Sequence, residues 1–164
     1  MKTLVVYYSL SGTTRACAMS AAKELSADVA EIHTAKPIKS GNFLPVAKMM
    51  LTGSAAIQPV EANPRDYDLI VLAAPIWAGK AARPLTTWLR GVSLMQKDIG
   101  LLLTCDGNAF KALEKLAPAV PGARVVGSIG IVCGKRPLSE LEEEARLWAD
   151  ELREEKKSPP EGNA

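Results

Sequence analysis

Short apolar runs rich in β-branched residues alternate along this chain with segments of helical period, and that alternation restricts the fold more than any other feature. Five runs have strand character: Thr3–Tyr8, Asp28–His33, Asp68–Ala73, Ile99–Thr104 and Arg124–Ile131. All but the second are nearly continuous apolar stretches, as strands buried on both faces should be. After the first run, Ala18, Ala21, Ala22 and Leu25 fall on one helical face. A second helix is expected from Ala82 to Arg90, with Leu85, Trp88 and Leu89 inward. A third runs from Asn108 to Ala117, capped by Asn108, with Phe110, Leu113 and Leu116 inward. The last helix has the clearest stripe: Leu138, Leu141, Ala145, Trp148 and Leu152. Its amino end carries Glu140 and Glu142 and its far end Lys156 and Lys157, as the helix dipole favours. Alternating strands and helices form βαβ units, so the expected fold is α/β: a three-layer, doubly wound, five-stranded parallel sheet.

With 164 residues, 48% apolar and 23% charged, the composition is that of one soluble globular domain. We assign residues 1–157 to it and read 158–164 as a flexible tail. The net charge of +2 implies no nucleic-acid or anionic-membrane surface without a clustered basic stripe, and the linear sequence displays none. Its longest apolar runs hold six or seven residues, well short of the ~20 that span a bilayer. The amino terminus lacks the core and cleavage site of a signal peptide, which points to the cytosol. Cys17, Cys105 and Cys133 are odd in number and widely spaced, so reduced thiols are expected rather than a disulfide framework or a zinc site. The long connection from Thr34 to Asp66 holds a short apolar segment, Phe43 to Leu51, read either as a functional connection or as a plain covering helix.

Ligands of parallel α/β sheets sit beyond the carboxyl ends of the strands, and three loops with unusual residues reach that edge. The first, Ser9-Leu10-Ser11-Gly12-Thr13-Thr14, runs directly into a helix. Four hydroxyls, a glycine and the free N–H groups of a helix start suit a phosphate dianion, although one or two of the hydroxyls could serve only as caps. No Gly-Lys-Ser/Thr follows a glycine at P-loop spacing, and Gly-x-Gly-x-x-Gly is missing, which disfavours a nucleotide triphosphatase or a dinucleotide dehydrogenase. A response-regulator receiver would need acidic residues where Tyr7-Tyr8-Ser9 stand. A tyrosine phosphatase would need an Arg six positions after a Cys, where Lys23, Lys111 and Ser139 stand.

Ser9-x-Ser11-Gly12-x-Thr14 after the first strand resembles the loop with which flavodoxins hold the phosphate of FMN. Pro75-Ile76-Trp77-Ala78-Gly79, with Pro84 further on, resembles the second flavin loop of the flavodoxin-like family. The likeness covers nearly the whole chain, and the uninterrupted fifth strand suits the short-chain type. It implies strand order 2-1-3-4-5, with FMN at the switch between the first and third strands. It also implies that Trp77 stacks on the flavin or merely covers the sheet end, and that Gly79 lets its peptide approach the ring near N5 and reorient. The third loop, Thr104-Cys105-Asp106-Gly107, would offer backbone N–H groups to the pyrimidine edge. Here the sequence departs from the family, which often carries Ser, Thr and Gly. Asp106 either disfavours negative charge on the reduced ring and lowers its potential, or caps the next helix, or faces solvent. Cys105 fits a small packing residue better than a redox partner.

The function implied is FMN-dependent electron transfer, reducing a small acceptor such as a quinone or a flavin, with NAD(P)H a candidate donor and no side chain acting as nucleophile. A one-electron carrier serving a redox partner protein, or a binding module without flavin, is the alternative. Carriers of this kind are strongly acidic, whereas this chain has a pI near 8.4, which favours a reductase or a partner of different charge. Weaker features are the lone His33, read as a surface or packing residue, and Met49, Met50 and Phe43, read as packing or as a lid over the flavin. Lys135-Arg136 after the fifth strand are read as a solvated pair rather than as a site for a phosphate-bearing nicotinamide cofactor.

Overall fold

The computed structural model describes residues 1–38, 42 and 44–157. Its strands are β1 (Thr3–Tyr7), β2 (Asp28–Glu31), β3 (Leu69–Trp77), β4 (Lys80–Ala81), β5 (Asp98–Cys105) and β6 (Arg124–Val132). The α-helices are α1 (Thr13–Leu25), α2 (Leu44–Thr52), α3 (Arg83–Arg90), α4 (Phe110–Leu116) and α5 (Leu138–Lys157). The five long strands are parallel in the order β2-β1-β3-β5-β6, and β4 pairs antiparallel with the end of β3. Setting that two-residue strand aside, this is the 2-1-3-4-5 order expected from the sequence.

Hydrophobic burial explains the layers. Leu4, Val6, Ile70, Leu72, Leu101 and Leu103 point to one side of the sheet, where Leu85 and Trp88 of α3 and Leu116 of α4 cover them. The alternate residues Val5, Val71 and Leu102 point to the other side, where Ala18 and Ala21 of α1 and Leu141, Trp148 and Leu152 of α5 cover them. Arg146 and Arg153 of α5 both reach Glu24 of α1, at 3.2 Å and 2.8 Å, and join the two helices at the rim.

Several expectations need correction. Only Ile131 of β6 is buried; β6 is an edge strand with a neighbour on one side, and its apolar sequence does not make it a central one. Phe110 is 63% exposed at the start of α4, so Ala112 and Leu116, with Leu113 half-buried, carry that helix's inner face. Leu138 is likewise exposed, and the buried stripe of α5 begins at Leu141. The third strand runs on through Pro75, Ile76 and Trp77, where the sequence leads one to expect a loop. Within the long 34–66 connection, α2 covers little, since Val46 is its only buried residue. Phe43 and the tail 158–164 lie outside the described residues. No helix among the described residues is long and apolar enough to cross a membrane.

Thr3 is buried, yet its hydroxyl has no hydrogen-bond partner among the described residues. Removing an unsatisfied buried hydroxyl recovers its desolvation cost. Thr3→Val is therefore expected to raise the stability by about 1 kcal/mol, visible as a higher denaturant midpoint at unchanged slope; a lower midpoint would show that the hydroxyl is satisfied.

Candidate functional site

Because the long strands are parallel, the segments leaving β1, β3 and β5 emerge at one edge of the sheet. The chain turns from β1 to β2 on one side and reaches β3 on the other, so the site lies at the switch in winding direction.

The first segment is organised by backbone geometry. Gly12 closes the turn with φ +99°, a left-handed value that a residue with a Cβ rarely adopts. Its N–H donates to Ser9 Oγ at 3.1 Å, which leaves the Ser9 hydroxyl proton free to point outward. The first helical hydrogen bond of α1 is Ala16 N–H to Gly12 O, at 3.0 Å. The N–H groups of Thr13, Thr14 and Arg15 consequently have no carbonyl behind them, and they face the mouth of the turn with the positive end of the helix dipole. Ser11 and Thr13 stand beside them, their hydroxyl oxygens 3.5 Å apart.

Thr14 differs from its neighbours. It is buried, and its Oγ1 lies 2.7 Å from Oγ1 of Thr104 at the end of β5. This bond joins the first loop to the third, so the Thr14 hydroxyl is structural while its N–H stays with the open group. Arg15 leans away to Glu31 at 3.2 Å, and Glu31 also accepts from Tyr7 Oη at 2.9 Å. Burial first, then the Glu31 hydrogen bond, pushes the Tyr7 phenol up to about 12.

The second segment is a hairpin. Trp77 pairs with Lys80 and Ile76 with Ala81, and the two turn residues Ala78 and Gly79 both have positive φ, +46° and +70°. That is the signature of a type I′ turn, and alanine in its first position carries strain. Trp77 is half-buried and meets Tyr8 edge to face, with ring centroids 5.6 Å apart at 87°. Burial pushes the Tyr8 phenol up to about 12. Pro75 stands opposite Thr104 in the β3–β5 ladder, and its carbonyl accepts from Ala82 N–H at 2.9 Å.

In the third segment Cys105 is half-buried, and its thiol donates to Gly107 O at 3.1 Å. Asp106 and Gly107 are exposed. The cap position of α4 is Ala109, one residue later than the sequence places it, and Asn108 before it accepts from Phe110 N–H at 2.7 Å in the turn that leads into the helix. All three cysteines are free, and burial pushes the Cys17 thiol up to about 12, which withholds its thiolate.

The sequence reading missed a fourth wall. Thr34 bridges Ile57, Gln58 N–H donates to His33 O at 2.8 Å, and Ala35 N–H donates to Ala56 O at 2.8 Å. This pairing brings two remote parts of the long connection beside Leu10. Tyr8, Ser9, Leu10, His33, Thr34 and Gln58 line a cavity of about 220 Å³ there. A smaller one of about 110 Å³ lies between Met50, Trp77, Lys80 and Arg83. A larger groove of about 770 Å³ runs beside α3, between Leu89, Leu94, Met95 and Val120, away from the first and third loops. Size does not make it the site, because the phosphate-like donor set is elsewhere.

A doubly wound parallel sheet whose first strand runs through a glycine turn into a helix with free N–H groups defines the class of α/β proteins with this topology. The family model for flavodoxins matches residues 2–141, and the chain belongs to that family. Among solved structures it is similar to a candidate flavoprotein of Bacteroides eggerthii DSM 20697, with 24% identity, 93% of this chain and 98% of that one covered, and a TM-score of 0.72. A candidate flavoprotein of Bacteroides uniformis ATCC 8492 gives 21% identity, 87% and 96% coverage, and 0.74. The flavoprotein of Lactobacillus acidophilus NCFM, solved in complex with FMN, gives 20% identity, 90% and 98% coverage, and 0.64. At these identities the likeness establishes the fold. No curated protein matches the chain.

Proposed function

We propose that this protein binds FMN and transfers electrons through it to a small acceptor such as a quinone or a flavin. The observation that carries this reading is the Ser9–Thr14 turn, whose outward-facing N–H groups and hydroxyls lie at the switch point of a flavodoxin-family sheet. The flavodoxin of Streptococcus pneumoniae TIGR4 and the FMN complex from Lactobacillus acidophilus share the fold and support the same assignment.

When bound, FMN supplies the redox chemistry, and the residues have these tasks. Ser9, Ser11 and Thr13 hydroxyls, together with the N–H groups of Thr13, Thr14 and Arg15, hold the phosphate. Gly12 keeps the turn in shape, and the Thr14–Thr104 bond fixes it to the third loop. Leu10 and Trp77 exclude water from the ring. Pro75 and Ile76 support the hairpin, and Ala78 and Gly79 present its turn to the ring's edge. Thr104, Cys105, Asp106 and Gly107 bring backbone donors to the pyrimidine side, where the Asp106 carboxylate disfavours extra negative charge on the reduced ring.

Purified protein titrated with FMN is expected to acquire a perturbed flavin spectrum at one equivalent. Anaerobic addition of NADH or NADPH then separates a reductase, which bleaches, from a carrier, which does not. An unperturbed spectrum at saturating FMN would contradict the reading. Trp77→Ala tests the cover: losing an aromatic face should weaken FMN by about 0.5–1.5 kcal/mol beyond the lost contact area, or roughly threefold to tenfold, with a changed reduction potential. Unchanged affinity and potential would leave Trp77 only its edge contact with Tyr8.

A further inference from the structure

The charges of this chain are divided between the two faces of the sheet. The elements α2, β4, α3 and α4 carry six Lys and Arg against one Asp or Glu, whereas α5 carries eight acidic residues against four basic ones, and α1 beside it one against two. The acidic set lies on α5, where its partners hold it: Arg136 pairs with Glu144 at 2.7 Å, and Arg146 with Glu143 at 2.8 Å. On the opposite face the situation is reversed. Lys48 of α2, Lys80 of β4, Arg83 of α3, and Lys111 and Lys115 of α4 have no ion pair among the described residues. Glu114 is the only carboxylate on these four elements.

These elements adjoin one another and the candidate site. Ala55 N–H donates to Thr87 Oγ1 at 3.2 Å and Arg90 donates to Gly53 O at 3.3 Å, which seats the end of α2 on α3. Met50, Trp77, Lys80 and Arg83 line one cavity, and α4 packs against β4. Exposed apolar side chains stand among the cations: Leu51 is 89% and Phe110 63% exposed. Cations left unpaired on one face repel each other and lower stability, so the arrangement suits a surface completed by an external negative charge.

We infer that this face, from α2 across the Trp77 hairpin to α4, docks an acidic redox protein that exchanges electrons with the flavin. The inference rests on the proposed function. A protein fits better than a dinucleotide, because the cations are spread over four elements and do not converge on one cleft, whereas a phosphate requires converging donors. An extended field of one sign instead steers and orients an extended surface of the other. Interleaved apolar side chains supply the desolvated centre such an interface needs.

The test uses the FMN-loaded full chain on sensors carrying an acidic [2Fe–2S] ferredoxin or a basic cytochrome c. Binding to the ferredoxin is expected at about 20 mM salt, at least ~tenfold weaker at about 200 mM, with no binding to the cytochrome. Lys111→Glu/Lys115→Glu, and separately Lys48→Glu, should each weaken ferredoxin binding, the double variant at least ~tenfold, while Lys23→Glu on α1 leaves it unchanged. Flavin absorbance reports FMN loading in every variant. Equal binding to the cytochrome, or wild-type ferredoxin binding by the α4 variant, would overturn the inference and leave the flavin assignment intact. A raised KM for NADPH in the α4 variant without any ferredoxin binding would overturn it in favour of a dinucleotide. A parent protein that takes up no FMN would overturn the proposed function itself.

Discussion

Gly12→Val is expected to lose FMN at least ~100-fold while the protein keeps its fold. Gly12 has φ +99°, and a β-branched residue at positive φ is a genuine outlier costing roughly 1–3 kcal/mol. A Cβ built there meets no atom within 4 Å, so the substitution produces no clash inside the protein. The strain is released by moving the turn, which turns the N–H groups of Thr13, Thr14 and Arg15 out of convergence and breaks the Gly12 N–H to Ser9 Oγ bond. The added side chain also occupies the open space in front of the turn. Hydrogen bonds to a charged phosphate contribute about 1.5–3 kcal/mol each, and losing two of them gives the stated factor. Far-ultraviolet circular dichroism should be unchanged, because Gly12 is outside both hydrophobic layers. Retained FMN at wild-type stoichiometry would place the phosphate elsewhere.

How much of this was legible in the sequence depends on how local each signal is. Strands β1, β3 and β5 are buried on both faces, and their apolar runs announce it. The stripe of α5 is equally readable from Leu141 onward. The phosphate-like turn could be read because all its parts, Ser9 to Thr14, are contiguous. Edge position is not a local property: the sequence of β6 resembles that of a central strand, but among the described residues it pairs with β5 alone. Phe110 has the right spacing for an inward residue, yet α4 starts there and its inner face is set by Ala112 and Leu116. Pro75-Ile76-Trp77 is a loop in the resemblance to the flavodoxin-like family, whereas the strand continues through it, the ladder accommodating the proline at its far end, opposite Thr104.

Features assembled from distant segments were the least visible. The wall formed by His33, Thr34 and Gln58 depends on antiparallel pairing between segments more than twenty residues apart in sequence, with α2 between them. The basic face joins single cations from α2, β4, α3 and α4 that never form a run, so the small net charge concealed it.

FMN should bind more tightly than riboflavin by on the order of 100-fold or more, because the phosphate adds two or more charge-assisted hydrogen bonds that riboflavin cannot make. FAD should fall between them or below: its flavin-side phosphate is joined through an anhydride to a second phosphate, which leaves it less charge and one fewer free oxygen, and an adenylate would need a second site. Calorimetric titration of the same preparation with FMN, riboflavin and FAD measures all three affinities directly. The account predicts FMN first, with its advantage over riboflavin absent in Gly12→Val. Riboflavin binding as tightly as FMN to the wild-type protein would contradict the claim that the Ser9–Thr14 turn is a phosphate site.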